Sequence, residues 1–434
     1  MVSAASLLKL PLKSVAEVMP SNVDKHTVEG ELPVRLCNYV DVYNNDRIDD
    51  SIDFMAATAS EAQITRFTLK AQDVLVTKDS EEPSDIGVPA YVPRDMPGVV
   101  CGYHLAVLRP DLMRVHGAFL HWALQSTEVQ AYYETAATGI SRYALGLNDL
   151  GMTPLHLPDR PTQARIANFL DEQTARIDAL IAEKERLDGL LGEYRSSLIT
   201  ATVTGHVDVE TGAMFPRAHE GGGGVSGRVV APVAWSWSKL KHVASFYTGW
   251  TPPTGNAEFF DGDNLWANIS DLGPKILHDT AKRISEKAID NTAMRVSPAG
   301  SVLFSFKLSI GQISFAGRDM YTNEAIATFP PQAGFNTRWA YWALPIFLPL
   351  NADENIYGAK LLNQELMRSA DILVPPLADQ ERIANFLDEQ TARIDALREH
   401  CKEHIGLLRE YRAALISAAV TGQLDIDNFG RQVA

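Results

Sequence analysis

The sequence predicts an α/β (α+β) protein with a pseudo-twofold internal repeat, in which two mixed α/β heads are each followed by one long helix. Three observations predict it. A sixteen-residue block occurs twice, half a chain apart. Each copy opens about forty residues whose apolar positions recur at helical steps. The remaining segments mix short apolar runs with helical patches.

The repeat fixes the organisation. Arg165 to Leu180 reads RIANFLDEQTARIDAL, and Arg382 to Leu397 repeats it unchanged, 217 positions on in a chain of 434. At the same offset Pro158 matches Pro375, Gln163 matches Gln380, Glu193-Tyr194-Arg195 matches Glu410-Tyr411-Arg412, and Val203-Thr204-Gly205 matches Val420-Thr421-Gly422. Fainter matches survive in the heads with small shifts. Leu12-Lys13 resembles Leu240-Lys241, Asn38 and Asp41 resemble Asn268 and Asp271, and Val74-Leu75 before Lys78 resembles Val302-Leu303 before Lys307. Two unlike heads sit on two alike stems. The expected boundaries are 1–157 for the first head, 158–205 for its stem, 206–234 for a linker, 235–374 for the second head, 375–422 for its stem and 423–434 for a tail.

The stems read as helices from Pro161, a favourable first-turn residue, to the Thr-Gly stops at Gly205 and Gly422. Ile166, Leu170, Ile177, Leu180, Leu187, Leu191, Tyr194 and Leu198 fit a period of 3.5, as do Ile383, Leu387, Ile394, Leu397, Leu408, Tyr411 and Leu415. Forty residues of helix span roughly 60 Å, too long for a small head to cover, so each stem is expected to pack on the other. Core stripe and coiled-coil seam are then the same residues. Between the halves, Gly221-Gly222-Gly223-Gly224 marks a flexible connector. In the heads, Val74-Leu75-Val76 and Val99-Val100 read as strands, and Phe119 to Leu124 and Trp339 to Leu344 as helices.

Composition is that of an ordinary globular protein, with 46% hydrophobic and 21% charged residues. No run reaches the roughly 18 to 20 apolar residues of a membrane span, and no membrane partner is expected. Cys37, Cys101 and Cys401 are far apart with no CxxC pair, which fits a reducing, cytoplasmic setting and argues against a structural zinc site. The formal charge of −15 weighs against a free-standing nucleic-acid binder. Catalytic signatures are missing too. There is no Gly-x-x-x-x-Gly-Lys-Ser/Thr loop, no nucleophile elbow, and none of the Pro-Pro pairs has the flanks of an amino-methyltransferase tetrad. His400 and His404 stand at i and i+4, but no third ligand accompanies them and a solvated helix face accounts for them. The expectation is a non-catalytic recognition protein without metal.

The repeated Leu-x-x-Pro-x-x-x-Gln-x-Arg-Ile-Ala-x-Phe-Leu-Asp block resembles the specificity subunits of type I restriction-modification systems. It stands as Leu373-Val374-Pro375-Pro376 through Gln380-Glu381-Arg382-Ile383, and in the first copy as Pro158 through Gln163 without the second proline. Trp235, Trp237 and Leu240, followed by Thr248, Gly249 and Pro252, look like the start of a recognition domain, whereas Leu12 lacks the tryptophan. The resemblance implies two target recognition domains joined by two long antiparallel coiled-coil helices. It also implies phage defence by DNA methylation and restriction. Each head would read one half of a bipartite, asymmetric site in double-stranded DNA. The stems would space the half-sites by about one helical turn. They would also dock two copies of an adenine methyltransferase subunit, with a restriction/translocase subunit joining. This subunit would carry no cofactor; S-adenosylmethionine, ATP and Mg belong to its partners.

Base readout favours Arg on guanine and Asn or Gln on adenine, with hydroxyls and amines as further donors. The candidate DNA-binding residues are Lys78, Ser141, Arg142 and Tyr143 in the first head, and Thr251, Lys275, Lys307, Ser309, Tyr357 and Lys360 in the second. Asn38 and Asn268, being matched, read as structural. The partner-docking and spacer residues are Ile166, Leu170, Ile177, Leu180, Tyr194, Ile383, Leu387, Ile394, Leu397 and Tyr411. The acidic excess lies in the heads, residues 1–164 holding 13 basic against 21 acidic side chains. Asp46, Asp49, Asp50, Asp53, Glu81, Glu82 and Asp85 are expected to face away from DNA, and the partners to supply much of the phosphate contact. Two alternatives stand beside this reading. One is a coiled-coil scaffold whose heads bind proteins, and the other is the same subunit type in another phage-defence methylation system.

Overall fold

The computed structural model describes residues 8–213, 232–292, 294–354, 358 and 360–430. They form two compact units, Met1–Arg186 with Cys401–Ala434, and Leu187–His400. The stem helices run Arg160–Val203 and Leu377–Val420, 44 residues each, so each unit holds a head and a stretch of both helices.

In the first unit, Leu8–Pro11 pairs antiparallel with Pro154–Leu157, the strand that leads into the stem. The Leu12 N–H then donates to the Thr153 carbonyl at 2.9 Å and the Leu12 side chain is buried. The second unit repeats this. Ser236–Lys239 pairs with Asp371–Val374, the Leu240 N–H donates to Ala370 at 2.9 Å, and Leu240 is buried. The Leu-Lys match between the heads is thus the corner where the chain leaves its stem-side strand.

The first head has a four-stranded antiparallel sheet in the order Ala16–Pro20, Leu105–Pro110, Val74–Thr77, Pro89–Tyr91. Beside it is a three-stranded sheet of Met55–Ala59, Leu32–Cys37 and Val99–Cys101. One buried cluster fills the space between them, with Met19, Leu36, Leu75 and Val107. The second head has a five-stranded sheet, Tyr247–Thr248, Ile326–Phe329, Val302–Ser305, Ile313–Ala316, Ile276–Leu277, and a three-stranded one around Asn264–Ala267. Val74-Leu75 and Val302-Leu303 both lie on interior strands, buried on both faces, which explains runs without alternation. Asn38 and Asn268 each close a capping box, accepting from the following turn while Asp41 and Asp271 accept from their backbone N–H groups. Both are structural, as their matching implied.

The stems run antiparallel within each unit. In the first, Asp178 pairs with Arg412 at 3.0 Å and Glu185 with Arg409 at 2.9 Å. In the second, Asp188 pairs with Arg398 at 2.7 Å and Arg195 with Asp395 at 2.9 Å. Both helices end as expected, with Gly205 and Gly422 at φ of +78° and +71°. The seam, however, is not continuous. Ile166, Leu170, Ile177, Ile383, Leu387 and Ile394 are buried, whereas Leu180, Tyr194, Leu397 and Tyr411 are about half exposed. At either end a stem is covered by both a head and the other helix, and Leu198 and Val203 of the first stem and Leu415 and Val420 of the second are buried there. Midway it has only the other helix, and a two-helix pair hides one narrow stripe.

Candidate nucleic-acid interface

The first head gathers its candidates on one small sheet. Thr138–Gly139 and Tyr143–Ala144 form a hairpin whose second strand pairs with Asp79–Ser80, directly after the central strand Val74–Thr77. Gly139 has φ of +155°, and a Cβ there would lie 2.0 Å from the Arg142 carbonyl oxygen, so only glycine fits this tip. Ile140 at the tip is 97% exposed. Lys78 is fixed by backbone bonds, its N–H donating to His104 at 3.0 Å and its carbonyl accepting from Leu145 at 2.9 Å. Its ammonium lies 4.9 Å from the Tyr103 ring centroid, and Tyr103 meets His104 edge-on. The Arg142 Nε donates to Asp79 Oδ1 at 3.1 Å, and the other oxygen of Asp79 lies 2.9 Å from His104 Nδ1.

The acidic residues divide. Asp46 and Asp50 are engaged within the unit, with Arg412 at 2.9 Å and Arg94 at 2.6 Å. Asp85 instead belongs beside the hairpin. It accepts from Tyr43 at 2.7 Å, a bond that pushes the Tyr43 phenol up to about 12. Tyr43 stacks on Tyr39, whose phenol is raised by burial and also feels Asp85, Asp79 and Arg142.

In the second head, Lys307 and Ser309 flank Leu308 in the loop between Val302–Ser305 and Ile313–Ala316. Leu308 has φ of +57° and is 94% exposed. The loop is tied by the Ser305 N–H donating to Gln312 at 2.8 Å and the Gly311 N–H to Ser305 at 3.0 Å. Thr251 donates to Glu324, and Lys360 donates to the Pro349 carbonyl at 3.1 Å. Tyr357 lies outside the described residues. Lys275 has a different occupation. It pairs with Asp388 on the stem at 2.9 Å and lies 5.3 Å from the Trp342 ring centroid, so its charge is spent holding head to stem.

That anchorage recurs in both units on stem residues separated by the offset of the repeat. Trp122 donates to Asp171, and Trp342 to Asp388, each at 3.0 Å. Arg412 lies over Trp122 at 5.6 Å and Arg195 over Trp342 at 5.9 Å. Gln163 accepts from the His116 N–H at 2.8 Å, and Gln380 from the Asn336 N–H at 2.9 Å. Burial works to raise the Asp388 carboxyl, but bonds from Lys275, Arg338 and Trp342 outweigh it and hold it below the ordinary carboxylate range. Matched anchors thus present unmatched loops.

Residues 232–405 match the family described as the type I restriction modification DNA specificity domain. This chain is therefore similar to the type I specificity subunits. The HindI specificity subunit of Haemophilus influenzae is 22% identical over 354 residues, covering 71% of this chain and 76% of that protein. The MjaIX specificity subunit of Methanocaldococcus jannaschii is 24% identical over 36% of this chain and 38% of its own length. The EcoBI specificity subunit of Escherichia coli is 34% identical over 91 residues, 21% of this chain and 19% of that one. The chain thus spans well under half of the last two. Two solved structures share the fold. The HsdS subunit of Thermoanaerobacter tengcongensis aligns over 96% of this chain and 97% of its own at 20% identity with a TM-score of 0.54. A chain from a study of assembly and conformational transition in a type I restriction-modification system aligns over 96% and 98% at 19% identity, with a TM-score of 0.67.

The specificity domain's matched range takes in the Trp235 and Trp237 region and the second stem as far as Ile405, including buried Ile383, Leu387 and Ile394. The stem surface outside the seam is mostly charged but carries exposed apolar residues such as Leu187, Leu190 and Leu407. In the first unit Leu180, Lys184, His404, Leu407, Leu408 and Tyr411 line a shallow groove between the helices. No helix among the described residues is long and apolar enough to cross a membrane, and no three potential metal ligands come together there. Sequence reasoning missed Asp79, Tyr103, His104 and Ile140. Ile140 carried a signal, an isolated aliphatic among Gly139, Ser141 and Arg142. The other three are brought in by strand pairing alone.

Proposed function

We propose that this chain is the non-catalytic, sequence-reading subunit of a type I restriction-modification complex. Its two heads read the two halves of a bipartite, asymmetric site in double-stranded DNA. Its stems dock two adenine methyltransferase subunits, a restriction/translocase subunit joins the complex, and these partners bring S-adenosylmethionine, ATP and Mg. The observation that carries the reading is the repeated anchorage, Trp122, Asp171 and Arg412 against Trp342, Asp388 and Arg195, beneath loops that share no pattern. Identical seating suits identical partners, and unlike loops suit unlike half-sites. Half-exposed Leu180, Leu397, Tyr194 and Tyr411 offer apolar area for those partners. The −15 charge fits a subunit whose partners supply much of the phosphate contact.

Methylome sequencing of cells carrying the chain with its methyltransferase tests this. One bipartite methylated motif is expected, and exchanging residues 1–157 for the head of a relative should change one half of it. A change in both halves refutes independent reading, and absence of any motif favours a protein-binding scaffold.

A further inference from the structure

We infer that Arg142 reads a guanine in the half-site of the first head, and that Asp79 is the positioning residue that aims it. The inference rests on the sequence-reading function proposed above. Both bonds from Arg142 to Asp79 leave through one edge of the guanidinium, Nε at 3.1 Å and Nη2, and both end on Oδ1. Asp79 Oδ2 is taken by His104 Nδ1 at 2.9 Å. His104 Nδ1 also lies 3.4 Å from Arg142 Nη2, but a nitrogen bonded to a carboxylate carries the proton, so it is a donor there and accepts no bond from Arg142. The Asp79 side chain is only 15% exposed, and its strand is paired to the hairpin that carries Arg142, with Asp79 opposite Ala144. The carboxylate is therefore fixed on the same rigid sheet as the arginine, whose side chain is 57% exposed.

This arrangement leaves the Nη1–Nη2 edge, two parallel donors and no acceptor. In the major groove guanine offers two adjacent acceptors, O6 and N7. Adenine pairs an acceptor with a donor and cytosine offers a donor, so the edge selects guanine. Asp79 adds two effects. It holds the guanidinium plane before DNA arrives, which removes ordering cost from the bound state. It also offsets the arginine charge, which weakens the competing pull of the phosphates, contacts that carry no sequence information.

The test uses the full chain with its methyltransferase, as wild type and as Arg142→Gln, Asp79→Asn and Asp79→Glu, on duplexes bearing the methylome motif. Replacing the critical guanine by 7-deazaguanine, which lacks the N7 acceptor, should weaken wild-type binding roughly tenfold or more. Arg142→Gln should show the same loss on unmodified DNA and no further loss on the modified duplex. Asp79→Asn should lose guanine preference while holding or raising affinity for unrelated DNA, with partial rescue by Asp79→Glu. A purely structural role would weaken both kinds of binding together. Arg142→Gln retaining full preference at every guanine of that half-site overturns the inference and leaves the recognition function standing. A wild-type protein that selects no motif overturns the function itself, and the inference with it.

Discussion

Gln163 offers the sharpest test of how head and stem are joined. The side chain is fully buried and makes three bonds. Its Oε1 accepts from the His116 N–H at 2.8 Å, and its Nε2 donates to the Arg114 and Pro158 carbonyls at 3.1 and 2.9 Å. Leucine has nearly the same volume and keeps none of them. One N–H and two carbonyls would be left without partners, at roughly 1–3 kcal/mol for each group that stays unsatisfied. Relief from burying the amide itself recovers part of this, so Gln163→Leu is expected to cost about 3 kcal/mol. For a unit of this size that lowers the unfolding midpoint by roughly 6–12 °C. Calorimetry and urea unfolding of the full chain would measure it. Gln380, with bonds to Asn336 and Pro375 at 2.9 and 3.0 Å, should show a loss of the same sign when replaced by leucine. A shift of less than about 1 kcal/mol in Gln163→Leu would refute the argument that these bonds, rather than apolar packing, fix the seat.

Three further outcomes follow from the same geometry. Leu170→Glu, at a buried position, should cost several kcal/mol, whereas Leu180→Glu, 47% exposed, should leave the unfolding midpoint nearly unchanged and act only on co-purification with the methyltransferase. Burial holds His121 down to about 4 against an ordinary value near 6.5, so the folded chain stays neutral there while the unfolded chain takes up a proton. Stability should therefore fall by up to about 3 kcal/mol as pH drops from roughly 6.5 to 4, and urea midpoints across that range should flatten in His121→Gln. Ile140→Ser should reduce DNA binding without changing thermal stability, since the side chain touches little of its own head.

Leu180 and Leu397, placed by their spacing on the seam yet about half exposed, show where sequence reasoning ends. Periodicity places an apolar residue on a stripe, but it does not say how wide a stripe the surroundings cover. Leu170 and Leu180 obey the same 3.5-residue spacing; one lies under a head and the other in the open groove. The basic candidates divide for a similar reason. Lys275 and Lys307 look alike as isolated lysines, yet Asp388 from the stem claims the first and leaves the second in an exposed loop.

The sequence by itself determined the duplication, the two 44-residue helices to within a turn, their glycine stops, the structural character of Asn38 and Asn268, and the family resemblance. All of these are local or repeated patterns, set by spacing and backbone preference along the chain. Only the tertiary structure decided which leucines are core, why Gln163 and Gln380 match, and that Asp79, Tyr103, His104 and Arg142 share one surface. Those residues are joined by strand pairing and burial across tens of positions. Such contacts are energies between distant segments, and no single segment carries them.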